Sequence, residues 1–158
     1  MLKGYQYKML VNLYIIERDN KIYAITTNNL YDYVEEETIL IKETAKQLRE
    51  YFNGERRTFD LPLDLEGTPF QVKVWQELQK IPYGQTRSYK QIANAVNSPK
   101  AYRAVGMANH RNRIMIVIPC HRVIGSSNNL VGYAGGLNLK EMLLSLEKND
   151  DFTSFREN

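Results

Sequence analysis

The sequence has few of the residues that fix small domains through disulfides or metal ions: its 158 residues include one cysteine and two histidines. One cysteine excludes an internal disulfide, and no cysteine and histidine cluster has zinc-ligand spacing, so we expect no metal. No apolar run approaches the roughly 20 residues of a membrane-spanning helix. The first residues also lack an apolar segment of the secretory type. We therefore expect no membrane partner and a cytoplasmic location.

Acidic residues are missing from one long stretch of the chain. Residues 100–122 contain five lysines and arginines and no aspartate or glutamate, whereas residues 32–37 carry four acidic side chains. The formal net charge of +3 is too small to indicate nucleic-acid binding alone. The uneven distribution suits a C-terminal part that meets a polyanion, but a solvated basic face would give the same pattern. Charge alone leaves both interpretations open.

The N-terminal part has the pattern of a small α+β domain. Two apolar runs flank Asp19-Asn20, which predicts a β-hairpin over residues 14–26 with a tight turn. Apolar residues then recur at helical spacing from 39 to 52, and Asn53-Gly54 provides a stop. We expect this scaffold domain to cover residues 1–60. A proline, a glycine and several charges give residues 61–68 the composition of a linker.

The C-terminal part, residues 69–148, has the pattern of short capped helices. Thr68 precedes Pro69 as an N-cap, and Ser88 forms a capping box with Gln91. Ser98-Pro99 predicts a third helix from about residue 100 to 109, rich in small side chains. Two capped helices around a tight turn are typical of a helix-turn-helix, although close helix packing would also use small residues. The fold class is α+β, with a polar tail at 149–158.

Cys120 lies directly before one of the two histidines, His121. A thiol with an ordinary pKa near ~8.5 needs activation to attack at neutral pH, and a histidine can remove its proton. Neighbours in an extended chain point to opposite faces, so contact requires a turn or a bridging water. Glu141 and Glu147 are the candidate carboxylates to orient the ring. The alternative is a buried, inert cysteine beside a core histidine.

The hexapeptide IPCHRV at residues 118–123 resembles the active-site hexapeptide of the methylated-DNA–protein-cysteine methyltransferases, or 6-O-alkylguanine-DNA alkyltransferases. The likeness runs without a gap from residue 68 to 148, whereas residues 1–60 match only in general layout. The motifs that carry it are an entry helix and turn at 70–84, a first DNA-side helix at 86–93, a recognition helix at 103–106, a glycine loop at 132–137 and a last helix at 140–147.

The resemblance implies repair of guanine alkylated on its 6-oxygen, by transfer of the alkyl group to Cys120. His121 would deprotonate the thiol through a water molecule, and Glu147 would orient His121. Asn112 corresponds to the hinge asparagine of the family. Tyr89 would help to rotate the nucleotide out and to deliver a proton to the base. No cofactor is implied, and the thioether product is so poor a leaving group that each protein molecule would act once.

The implied partner is double-stranded DNA with an alkylated guanine, approached from the minor groove without sequence-specific readout. Arg103 would take the place of the flipped base in the stack, and small side chains would suit the narrow groove. We expect the protein to act as a monomer. DNA contacts are implied for Arg103, Tyr89, Ser88, Ala101, Ala104 and Arg122, and base contacts for Cys120, Val123, Tyr133 and Ala134.

Arg113 departs from the family pattern, which commonly has proline after the hinge asparagine. The change would either loosen the hinge segment or add a phosphate contact. A non-catalytic alkylguanine sensor on the same fold is one alternative function, but such relatives replace the nucleophile, so Cys120 argues against it. A thiol hydrolase or redox protein is another, and the lack of a resolving cysteine together with Arg103 in a helix-turn-helix argues against that.

Overall fold

We describe residues 1–125 and 137–148 in a computed structural model of the protein, without the side chains of residues 137 and 138. These residues form two compact units. The first holds Met1–Asp64 and Arg113–Met115, and the second holds Leu65–Asn112 with residues 116–125 and 137–148. No helix in this part of the chain combines the length and the apolar character that crossing a membrane requires. The predicted tail lies outside the described residues.

The first unit is built on a four-stranded sheet with the order β3-β2-β1-β4. The first three strands pair antiparallel, and β4 pairs parallel with β1. Asp19 and Asn20 both have positive φ, 52° and 64°, which is the backbone of a two-residue hairpin turn. The predicted hairpin is therefore confirmed. The strands are β1 (Lys3–Lys8), β2 (Asn12–Arg18), β3 (Lys21–Thr26) and β4 (Val34–Glu35).

One helix, α1 (Ile39–Phe52), packs against this sheet. Thr38 caps it by accepting a hydrogen bond from the Ile41 backbone N–H, and Gly54 follows its end with φ +77°. The predicted bounds are confirmed, and the apolar residues that recur at helical spacing, Ile41, Ala45, Leu48 and Phe52, are buried as that spacing predicts. Residues 28–38 are acidic and lack clear periodicity, which predicts an irregular connection, but the structure has the short strand β4 there. Its two residues are exposed and carry no periodic signal.

Two segments far along the chain extend the sheet of the first unit. Leu63 bridges Ile22 and Ile114 bridges Ile25, both in parallel orientation. The Arg113 guanidinium donates to the carbonyl oxygens of Tyr23, at 3.3 Å, and Asp64, at 3.0 Å, and lies 4.3 Å above the Tyr23 ring. Neither expectation for Arg113 describes this position: the side chain binds protein and holds its own segment on the sheet.

The second unit consists of helices around a two-stranded parallel pair. The predicted N-cap Thr68 and the predicted capping box of Ser88 with Gln91 are both present, and Thr68 also forms a capping box with Gln71. The Trp75 indole N–H donates to the Ala108 carbonyl oxygen at 2.8 Å. This bond joins the first and third helices of the second unit. The elements are α2 (Pro69–Leu78), β5 (Arg87–Ser88), α3 (Tyr89–Ala95), α4 (Tyr102–His110), a 3-10 turn (Cys120–Arg122), β6 (Val123–Ile124) and α5 (Leu137–Glu147).

Two details differ from the sequence-based expectation. Helix α4 begins at Tyr102 and has no side-chain cap, because the Ala101 N–H bonds to the Ser98 carbonyl in a separate turn. The apolar run at 114–118 predicts a buried strand or extended segment, but it forms one bridge and no continuous strand, since Ile116 has φ +73°. Helices α3 and α4 are joined by residues 96–101, and their action as a helix-turn-helix on DNA stays a prediction.

Candidate active site around Cys120

Cys120 opens the 3-10 turn and is completely buried. Its N–H bonds to the Ile118 carbonyl oxygen at 2.7 Å, and the Arg122 N–H bonds to the Pro119 carbonyl oxygen at 2.9 Å. A 3-10 turn has 3.0 residues per turn, so consecutive side chains diverge by about 120°. Adjacency to His121 therefore does not by itself aim the imidazole at the sulfur, and proton transfer through a bridging water stays a prediction.

The carboxylate that orients His121 is Glu147, the last residue of α5. Its Oε2 lies 2.5 Å from Nε2 of His121, and both side chains are buried. Glu141, the other candidate, is exposed on the same helix. Because Nε2 faces Glu147, a proton that a neutral His121 takes up binds at Nδ1.

Arg122 is buried and binds the carboxylate of Glu147 as well. Its Nε lies 2.7 Å from Glu147 Oε1, its Nη2 lies 3.0 Å from Oε2, and its Nη1 donates to the Ile81 carbonyl oxygen at 2.8 Å. Only 6% of the residue is exposed. The predicted contact of Arg122 with DNA is therefore corrected: every nitrogen of the guanidinium is engaged internally, where it neutralises Glu147.

The turn at Gly84 completes the carboxylate site. The Gly84 N–H donates to Glu147 Oε1 at 3.2 Å. Gly84 has φ +81°, and a Cβ there would lie 3.1 Å from the Glu147 carbonyl oxygen. Both the backbone conformation and the close approach favour glycine at this position.

Charges and burial fix the protonation states of this group. Burial raises the pKa of Glu147, but the hydrogen bonds and charges of His121 and Arg122 outweigh it and hold that pKa well below its usual range. Burial lowers the pKa of His121, Glu147 opposes this, and the positive charges of Arg122 and Lys140 add to the lowering. At neutral pH Glu147 is therefore an anion and His121 a neutral base.

Lys140, a residue with no role predicted from the sequence, belongs to the site. It is fully buried, and its Nζ donates to the Val123 carbonyl oxygen at 2.7 Å. Burial lowers the pKa of Lys140, and the negative charge of a Cys120 thiolate raises it. A signal for this residue exists in the sequence: the i, i+7 spacing places Lys140 on the face of α5 that carries Glu147.

Tyr89 begins α3, directly after the residues of β5 that pair with β6. That pairing places the start of α3 beside the turn of Cys120. Burial raises the pKa of the Tyr89 phenol, a Cys120 thiolate raises it further, and a hydrogen bond from Asn109 opposes both. Tyr89 is therefore a protonated phenol close to the thiol.

Two amides near the end of α4 bind the segment around Cys120. Asn112 Nδ2 donates to the Ile118 carbonyl oxygen at 2.9 Å, which is the tie expected of the hinge asparagine. Asn109 Nδ2 donates to the Cys120 carbonyl oxygen at 3.3 Å. Asn109 was missed, because nothing in its sequence context marks it as buried.

The remaining predicted residues occupy different positions. Arg103 and Ala104 are exposed on α4, Ala101 is half-buried at its start, and Ser88 caps α3. Val123 is buried beside Cys120. Tyr133 and Ala134 lie outside the described residues. Among the residues described, no group of three or more His, Cys, Asp or Glu side chains is placed to hold a metal ion.

Comparison with known proteins identifies the family. The DNA binding domain of 6-O-methylguanine DNA methyltransferase matches residues 69–149, and the ribonuclease-like domain of the same family matches residues 5–65. The chain belongs to this family. A methylated-DNA–protein-cysteine methyltransferase of Methanosarcina barkeri is 56% identical over 119 residues, which cover 75% of each chain.

Solved structures of the methyltransferase family agree. An O6-methylguanine methyltransferase of Mycobacterium tuberculosis matches with a TM-score of 0.88 and 39% identity, over 98% of this chain and 99% of that one. A crystal structure of the Mycobacterium tuberculosis OGT in complex with DNA matches with a TM-score of 0.87 and 37% identity, over 99% of each chain. The family and the α+β fold class predicted from the sequence are confirmed.

Proposed function

We propose that this methyltransferase repairs double-stranded DNA by moving the alkyl group from the 6-oxygen of guanine to Sγ of Cys120. The observation that carries the proposal is the arrangement of the only cysteine beside a neutral His121 that is bonded to an ionised Glu147. This set lies within the residues that match the DNA binding domain of the family.

The first step is removal of the thiol proton. A neutral imidazole can accept it, and the pKa directions of His121 and Glu147 favour that state. A water molecule carries the proton from Sγ to Nδ1 of His121, and Glu147 stabilises the imidazolium that forms. Lys140 favours the thiolate through its positive charge.

The second step is alkyl transfer. A bond forms between Sγ and the alkyl carbon while the bond between that carbon and the guanine 6-oxygen breaks. The electron pair stays on the base, which takes up a proton with the help of Tyr89 and leaves as ordinary guanine. The resulting thioether has no route back to a thiol, so one protein molecule repairs one lesion.

The DNA-binding part of the proposal rests on α4. The 6-oxygen lies inside the duplex, so the nucleotide has to be flipped out, which costs a few kcal/mol and least for a damaged base. Exposed Arg103 fills the space that the base leaves, and Ala101 and Ala104 let the helix approach the minor groove. Contacts with phosphates dominate, so binding is not sequence specific and weakens with salt. A monomeric state and a cytoplasmic location are further parts of the proposal.

Methyl-labelled DNA tests this function. After incubation with DNA that carries labelled 6-O-methylguanine, the label should be found in the tryptic peptide of residues 114–122, which contains Cys120. Cys120→Ser should take up no label and should still bind the DNA. Label on another residue would contradict the assignment. Tight binding without any transfer by the wild-type protein would favour the damage-sensor alternative instead.

A further inference from the structure

Asn109 is a buried amide whose bonds reach two functional groups at once. It lies in the last turn of α4 and is 1% exposed. Its Nδ2 donates to the Cys120 carbonyl oxygen at 3.3 Å, and its side chain also bonds to the phenol of Tyr89. Asn109 therefore connects the main chain of the proposed nucleophile with the side chain of the proposed proton donor.

The stability of the folded protein does not explain why an asparagine occupies this buried position. Its Oδ1 is buried and has no hydrogen-bond partner among residues 1–125 and 137–148, and an unpartnered buried acceptor costs free energy. The Cys120 carbonyl oxygen does not depend on Asn109, since it also accepts the Val123 N–H. An apolar side chain of similar size at this position would avoid the unpaired oxygen.

The direction of the hydrogen bond to Tyr89 suggests what the amide does. A donor beside the phenol oxygen stabilises the phenolate more than the phenol, and it thereby opposes the effect of burial. A phenol that gives up its proton more readily is a better proton donor to the leaving base. The same amide fixes the distance between that phenol and the turn that carries Sγ.

We propose that Asn109 is a positioning residue for alkyl transfer, which sets the Tyr89 phenol against Cys120 and supports its donation of a proton. This inference rests on the proposed function. It is separate from the tie made by Asn112, whose amide donates to a different carbonyl oxygen, that of Ile118.

Single-turnover kinetics with methylated DNA test the inference. At saturating DNA, Asn109→Leu should transfer the methyl group about 10- to 100-fold more slowly than wild type, the size of effect expected for loss of one well-placed donor. Its DNA affinity and thermal midpoint should stay close to those of wild type. The same exchange at an exposed asparagine of the first unit, Asn29→Leu, is the matched control and should leave the rate unchanged.

A double-mutant cycle shows whether Asn109 affects the transfer rate through the Tyr89 phenol or independently of it. In a Tyr89→Phe background, Asn109→Leu should slow the reaction by a clearly smaller factor than in wild type, because the phenol is already missing. Equal factors in both backgrounds, or a wild-type rate in Asn109→Leu, would overturn the inference and leave the proposed function in place. Absence of transfer from the wild-type protein would overturn both.

Discussion

Glu147 shows how single residues set the chemistry of this site. Three groups donate to its carboxylate, from Gly84, His121 and Arg122, so that it is anionic although buried. Arg122 balances its charge, which leaves His121 neutral and able to accept a proton. Removal of Glu147 or of Arg122 would leave a buried charge without its partner, so these two side chains function as a pair.

The lowered pKa of His121 predicts how stability depends on pH. An unfolded histidine binds a proton below its ordinary pKa of 6.5, whereas His121 in the folded protein does not. The unfolded state then holds more protons, so the free energy of unfolding should fall as pH decreases from about 7 to 5, by at most ~1.4 kcal/mol per pH unit. Glu147, whose pKa is lowered, adds a loss only at more acidic pH.

Urea unfolding across that pH range measures the slope. His121→Gln should lose this part of the pH dependence, and His110→Gln, a change at the exposed end of α4, should keep it. A stability that stays constant or rises as the pH decreases would show that His121 is charged in the folded protein.

Residue identities in this site could be predicted only in part. The adjacent Cys120 and His121 and the spacing to Glu147 are visible in the sequence once the family pattern is known. The burial of Asn109, Lys140 and Arg122 depends on which helix faces meet, and polar residues at these positions look like surface residues in a one-dimensional pattern. The DNA contact that the resemblance implied for Arg122 is wrong for this reason.

At the scale of elements, α4 presents a mixed face to solvent. Arg103, Met107 and His110 follow one another at i, i+4 and i+7, and all three are exposed. Met107 is 54% exposed, which is unusual for a large apolar side chain in a helix this short. An apolar side chain beside Arg103 suits contact with sugars and bases in the minor groove, where apolar wedges insert between base steps.

Salt titrations of DNA binding test this role of Met107. Met107→Ala should weaken binding by about 1–2 kcal/mol without changing the slope of log K against log salt, because an apolar contact releases no counterions. Lys100→Ala should instead reduce that slope by about one unit. Ile39→Ala, at an exposed apolar residue of the first unit, is the control and should change neither. A changed slope in Met107→Ala would contradict the apolar contact.

Elements with local signals were predicted well. The hairpin turn, the bounds of α1 and the caps of α2 and α3 follow from short-range rules, because the residues that form each feature lie within four positions of one another. Strand β4, the start of α4 and the form of residues 114–118 depend on pairing with distant residues. Ile114, for example, bridges Ile25 across 89 positions of the chain.

At the scale of the whole molecule, the division into two units does not follow the order of the chain. Arg113–Met115 belong to the first unit, although the residues before and after them belong to the second. Composition and periodicity describe contiguous stretches of sequence. They therefore cannot show that a short segment from the C-terminal part belongs to the first unit. Arg113, a departure from the family pattern, holds this segment through the carbonyl oxygens of Tyr23 and Asp64.

The central claim is that Cys120 accepts one alkyl group and is then spent. Intact mass of the protein, measured after incubation with an excess of DNA containing 6-O-methylguanine, tests it most directly. We predict an increase by a single methyl group, no increase in Cys120→Ser, and an amount of repaired guanine that stops rising when it equals the amount of protein. Repair that continues beyond one lesion per protein molecule would contradict the claim.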